Sequence, residues 1–183
     1  MCQGFVQCLN LGDNHWITIS TLGCTPGTVI VYDSLNLRLS KSLKNIVADL
    51  IHTSNSTIVI KYANMQYQRG GSDCGLFAIA TACVVCNGDD PTSLHFEQPL
   101  MREHLLKALE SKKLSPFPSQ HRRVAISQTR EEILEVFYVC RMPNDGKTIL
   151  QCSACQEWYH CNCVRVQKRF LNPKVPWICG TCK

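Results

Sequence analysis

The chain contains no apolar run near the roughly 18 residues that a membrane-spanning helix requires, so a helical membrane protein is not expected. Charged residues are scarce, at 18% against about 25% in ordinary globular domains, while hydrophobic residues reach 45%. That balance excludes chain-wide disorder. Repeats and low-complexity tracts are absent, which excludes solenoid and fibrous architectures. The opening residues MCQGFVQCLN lack the basic and long apolar regions of a secretory leader, so a reducing compartment, nucleus or cytoplasm, is expected. What the chain has in quantity is cysteine: 13 in 183 residues, six of them in residues 1–110 and seven in residues 140–183. In a reducing compartment, clustered Cys with a His among them reads as metal binding, and an isolated Cys in a Gly-rich turn reads as a nucleophile.

The length suits one mid-sized domain with a small module. Net charge is +5 and unevenly spread: residues 1–110 hold 7 Lys/Arg against 9 Asp/Glu, and residues 111–183 hold 12 against 5. A basic linker and a solvated surface account for this, and no motif supports nucleic-acid contact. β-Branched residues in HWITIS (15–20) and TVIVYDS (28–34) predict adjacent strands, with CTPG as the turn between them. SKSLKNIVADLIH (40–52) places Leu43, Ile46, Val47, Leu50 and Ile51 at helical spacing behind a Ser40 N-cap, and STIVIKYANM returns as a strand. An all-apolar run from Cys74 predicts a buried helix. A second helix is expected over 98–112, with Leu100, Met101, Leu105, Leu106 and Leu109 on one face, and a basic linker over 115–132.

A Cys becomes a nucleophile as its thiolate, which a helix N-terminus or a nearby imidazole stabilises. Cys74 stands where both are available: His15 opens one strand, Asp33 closes the next, and Gln68 lies on the turn six residues before Cys74. In acyl transfer these residues would serve as nucleophile, base, orienting carboxylate and oxyanion donor. The other Cys of this helix, Cys83 and Cys86, read either as inert core residues or as a redox pair. His15-Trp16, Tyr32-Asp33-Ser34 and QRGGSDCG (68–75) together resemble the ubiquitin-like-protein (SUMO) protease family. The resemblance covers roughly residues 5–110. It implies an α+β fold with a papain-like cysteine protease core, catalytic His15, Asp33, Gln68 and Cys74, and Trp16 as a wall of the substrate channel. Only 14 residues precede His15, so the upstream lobe of that family is expected to be missing here.

Residues 140–183 carry C152-x2-C155-x4-H160-x2-C163, then C179-x2-C182, with Cys140 upstream. Two-residue spacers let both thiolates of a pair reach one tetrahedral zinc at about 2.3 Å. A segment this short has little core of its own, so metal binding would supply much of its folding free energy. With Trp158-Tyr159-His160, and Trp177 two residues before Cys179, the segment resembles a PHD finger; a RING finger is the nearest rival. The resemblance implies two cross-braced zinc ions, one on Cys152, Cys155, Cys179 and Cys182, the other on Cys140, His160 and Cys163. Tyr138 stands where such fingers usually have a further Cys, leaving Glu135, Cys161 or water to complete that site. PHD fingers commonly add a histone tail as a strand and box a methylated lysine in an aromatic cage. The cage positions fall at Phe137, Asn144, Ile149 and Trp158, and a buried Trp158 packed beside the zinc is the alternative.

The expected organisation is therefore a catalytic domain over 1–114, a basic linker over 115–132 and a PHD-type zinc finger over 133–183. The expected function is a cysteine isopeptidase that removes ubiquitin or a ubiquitin-like modifier from protein conjugates. The alternative is an inactive protease remnant that binds a histone tail or another protein; an acetyltransferase on the same scaffold is a third option.

Overall fold

β-Branched runs and one nearly all-apolar helix dictate most of the architecture. The computed structural model describes all residues except 1–3, 13, 38–39, 54, 123–129, 138 and 173. In chain order the elements are β1 (Val6–Asn10), β2 (Trp16–Ser20), β3 (Thr28–Tyr32), α1 (Lys41–Leu50), β4 (Thr57–Tyr62), α2 (Cys74–Cys86), β5 (Leu94–Phe96), α3 (Gln98–Ser111), β6 (Ser119–His121), β7 (Arg130–Glu135), β8 (Ile149–Gln151) and β9 (Trp158–His160).

Strands β1-β2-β3-β4-β7 form one mixed sheet in that order. All neighbours are antiparallel except β3 and β4, which α1 joins as a crossover. Strand alternation splits the side chains between the two faces. Ile17, Ile19, Val29, Val31, Ile58 and Ile60 face α1, where Leu43, Val47 and Ala48 pack on them. Ser40 caps α1 by accepting from the Leu43 N–H at 3.1 Å, which satisfies one of the donors that every helix start leaves open.

The opposite face carries α2, which is apolar on every side and largely covered, with Gly75, Ile79, Ala82 and Cys83 partly buried and Cys86 exposed. Thr18 on β2 donates its hydroxyl to the Ala78 carbonyl of α2 at 2.7 Å. Phe77, Phe96, Met101 and Phe117 complete this second core. In α3 only Met101 and Ala108 are buried. Leu100, Leu106 and Leu109, expected on the packed face, are exposed, because the stripe through residues 101, 105 and 108 is the one that meets α2.

Two expectations change here. The stretch read as a linker contains β6, which pairs with β5, and β7, which zips along the whole of β4 from Thr57↔Glu135 to Tyr62↔Arg130. Leu134 and Val136 enter the α1-side core, so the end of β7 is held by apolar burial. The papain-like protease core is not shown either: the structure is a small mixed α/β unit whose sheet takes its last strand from directly before the Cys/His module. That module has a core of Cys152, Tyr159, Trp177 and Cys179 around the β8–β9 hairpin. It is fastened to the sheet by the Val136 N–H donating to Ser56 O at 2.9 Å, by the Arg141 guanidinium on Asn55 O, and by Met142 against the α1-side core.

Candidate metal centre

At the end of the large sheet lies the polar cluster for which the family resemblance implied a catalytic role. His15 enters β2 beside the end of β3, and its Nε2 lies 2.9 Å from Asp33 Oδ1. Asp33 also accepts the Leu35 and Leu37 backbone N–H groups at 2.8 and 2.9 Å, so both its oxygens are engaged. Gln68 accepts from Ser34 Oγ at 2.6 Å and donates to Gly70 O at 2.9 Å. Gly70 sits at φ +76°, a conformation that favours glycine. Cys74 is buried at the start of α2, its thiol 3.4 Å from the Asn14 carbonyl. Trp16 is half exposed and lies over Gly75, its ring about 3.8 Å from where a Cβ would be. Asp73, just before Cys74, is tied to α3 by Gln98 at 2.8 Å and Arg102 at 2.6 Å. The fold thus gathers His15, Asp33, Gln68 and Cys74 at one sheet end, each held by hydrogen bonds to its surroundings. Asn14 and Arg102 were not singled out from sequence, because their roles depend on backbone course and chain reversal.

The Cys/His module concentrates metal donors in two groups. The sulfurs of Cys152, Cys155, Cys179 and Cys182 all lie within 4.8 Å of one another, with Cys155 Sγ and Cys179 Sγ 4.0 Å apart. A tetrahedron with zinc–sulfur bonds of about 2.3 Å has edges of about 3.8 Å, so the set fits zinc. Local turns produce the set: the Gln156 N–H returns to Cys152 O at 2.9 Å, the Cys182 N–H returns to Cys179 O at 3.2 Å, and the Cys179 N–H donates to Cys152 Sγ at 3.3 Å.

The thiols also compete electrostatically. The Tyr159 hydroxyl, donating to Cys179, brings that thiol down to about 6. Hydrogen bonding to Cys179 and Cys155 holds Cys182 up at about 12. Four thiolates this close cannot all ionise without a cation between them, and a dication removes that conflict.

The second group is Cys140, His160 and Cys163, whose donor atoms likewise lie within 4.8 Å of one another. His160 Nδ1 is 3.1 Å from Cys140 Sγ. Its buried Nε2 has no hydrogen-bond partner among the described residues and points toward Asp145 Oδ1 at 3.7 Å. A carboxylate behind a metal-bound imidazole is the usual orienting arrangement; Asp145 was missed in the sequence because an Asn-Asp-Gly turn looks like an ordinary loop. Phe137 is buried and stands edge-on to the His160 ring, centroids 4.5 Å apart. It therefore packs against a ligand and is withdrawn from the cage positions. Neither Glu135 nor Cys161 joins the donor group; Glu135 lies on β7 opposite Thr57, and the Cys161 N–H donates to Thr148 O. Tyr138 lies outside the described residues.

On the β8–β9 hairpin, pairing Ile149↔His160 and Gln151↔Trp158 puts Ile149 and Trp158 on one face. Leu150 and Tyr159 face the small core, where the Tyr159 ring meets Trp177 edge-on at 5.1 Å. Trp158 is 42% exposed, so it is Trp177 that packs inward beside the sulfurs. Asn144 is exposed in the preceding loop and Ile149 is half-buried.

Residues 138–182 match the PHD-finger family model, so the module is a zinc-binding region of the PHD type. Three similar proteins come from Schizosaccharomyces pombe: of these, the Set1 complex component spp1 is 30% identical over 69 residues, 36% of this chain and 16% of that protein. The Lid2 complex component lid2 is 34% identical over 47 residues, and the Multicopy suppressor of chk1 protein 1 is 40% identical over 43 residues. These matches span 26% and 24% of this chain and 3% of either relative. No solved structure matches the chain.

These findings overturn the isopeptidase expectation: the matching family is a PHD finger and two of the relatives are components of the Set1 and Lid2 complexes. Conjugates of ubiquitin or ubiquitin-like proteins are likewise unsupported as partners. Among the described residues no helix is long and apolar enough to cross a membrane.

Proposed function

We propose that this chain is a peptide-binding module of a nuclear, chromatin-bound assembly, reading a histone tail through its PHD-type finger. In this reading two zinc ions hold the finger together. One sits on Cys152, Cys155, Cys179 and Cys182, and the other on Cys140, His160 and Cys163. The ions act structurally: they fix the turns and the β8–β9 hairpin, and the peptide is bound by protein groups.

The observation that carries the proposal is the contrast between the two tryptophans. Trp177 is buried and accounts for core packing, which leaves the exposed Trp158 without a structural task. An extended tail added along an edge of the hairpin would make backbone hydrogen bonds there. A methylated lysine over the Trp158 indole would gain a cation–π contact of about 0.5–2 kcal/mol. Ile149 on the same face and Asn144 in the adjoining loop complete a shallow cage. The relatives named as complex components support the setting.

Isothermal titration of the zinc-loaded chain with histone-tail peptides, unmodified and trimethylated at single lysines, tests this. Saturable binding is expected to at least one methylated peptide, with Trp158→Ala weakening it roughly tenfold, about 1.4 kcal/mol. The proposal fails if no tail peptide binds, or if Trp158→Ala retains both zinc and full affinity.

A further inference from the structure

The second metal group differs from the first in what lies beside it. Cys140, His160 and Cys163 all line one cleft of about 1110 Å³ between the finger and α1. Space for one coordinated water needs only about 30 Å³, so this cleft admits a far larger group. Among the described residues the donor group stops at three, and the sequence has Tyr138 where a fourth Cys would be expected. His160 is oriented as if for a metal, with Nδ1 at the donor cluster, Phe137 against its ring and Asp145 behind Nε2.

We propose that the metal at this site keeps an exchangeable fourth position facing the cleft, and that its ligand is an external thiolate. This rests on the reading above that two ions are bound. A borderline-soft zinc takes thiolate readily, and one more sulfur restores the three-sulfur, one-imidazole set that the missing Cys would have provided. Charge favours the same ligand. Zinc with two thiolates and a neutral imidazole is formally neutral, so a third thiolate leaves one negative charge. Lys41 from α1 and Arg165 from the finger line the cleft to receive it, whereas Lys147 is already paired with Asp145 at 2.6 Å. On binding, the thiol loses its proton to solvent, the new metal–sulfur bond forms and the water it replaces leaves; no redox partner is required. The source is either a small free thiol or a cysteine on a partner peptide, and both would enter by the same cleft.

The test uses the full chain loaded with cobalt(II), with a phosphine as the only reductant. Native mass spectrometry counts the metals, and the sulfur-to-cobalt charge-transfer absorption is followed while 2-mercaptoethanol is added. Two metals are expected, with a saturable rise corresponding to one further cobalt–sulfur bond per chain, lost again on dialysis. A cysteine-bearing peptide and its serine counterpart, added in place of 2-mercaptoethanol, separate the two sources. Tyr138→Cys should show the extra band from the start and ignore added thiol.

With two metals bound and no response to any thiol, the exchangeable position is refuted. A changed thiol-free spectrum in Tyr138→Phe or Cys161→Ser identifies that residue as the fourth ligand and overturns the proposal. One metal that stays one with thiol present refutes the two-ion reading itself; one metal that becomes two when thiol is added supports the external ligand.

Discussion

The large sheet and the finger solve the same problem by different physics. The sheet has two apolar clusters, one under α1 and one under α2, built from fully buried residues such as Ile19, Val29, Ile60, Phe77 and Met101. Among the described residues the core cluster of the finger has four buried members, two of them cysteines whose sulfurs belong to a metal-donor group. Burial at about 25 cal/mol per Å² can stabilise the first; the second is too small for that and needs metal. The two are joined by β7 and the Val136 and Met142 contacts, so a change in one tests how far stability is shared.

The largest effect should follow from removing metal. Chelation, or Cys179→Ser, is expected to abolish folding of residues 139–183, since structural zinc supplies roughly 10–16 kcal/mol of apparent binding free energy in such modules. Amide resonances of that segment should collapse to random-coil shifts while those of β1 to β4 stay dispersed. If the sheet unfolds with the finger, the two regions are one cooperative unit.

Next is the reverse break. Phe77 is 1% exposed and edge-on to Phe96 at 5.9 Å, and Phe77→Ala should cost about 3–5 kcal/mol in denaturant unfolding of the sheet. Metal content, measured on the folded variant, should not change. Removal of the α1 cap by Ser40→Ala should cost about 1 kcal/mol, again seen only in the sheet transition.

Tyrosine titration gives the finest comparison. Burial raises Tyr32 and Tyr62 from 10.0 to about 12, and burial also pushes Tyr159 upward. A phenol whose folded value is raised contributes stability that is complete below about pH 10 and is lost as pH rises through 12. Ultraviolet titration of the holo chain should therefore show Tyr32, Tyr62 and Tyr159 titrating late. After chelation Tyr159 alone should return to its ordinary range.

Much of this was legible residue by residue. Ser40 as a cap, the start of α2 at Cys74, the strands at 16–20, 28–32 and 57–62, and the Cys-x2-Cys pairs follow from local pattern, because capping, alternation and two-residue Cys spacers act over a few residues; the two donor groups came from the resemblance to a PHD finger. The functional reading went astray at a different scale. A four-residue order of His, Asp, Gln and Cys pointed to peptidase chemistry, and the hydrogen-bonded cluster exists, but order along a chain does not establish an activity. Phe137 was misplaced for a similar reason: motif alignment put it in a cage, and the fold turned its ring onto His160.

The sequence by itself determined the main helices and strands and the Cys-x2-Cys pairs, since each depends on spacing within one turn or one strand; the grouping of those pairs into two donor sets came from the resemblance to a PHD finger. Only the tertiary structure decided that residues 119–121 and 130–132 of the supposed linker lie in strands, that Trp177 and not Trp158 is buried, that Asp145 stands behind His160, and that three donors line a cleft beside α1. Those facts depend on which distant segments meet, and long-range contact is set by the total burial of both cores.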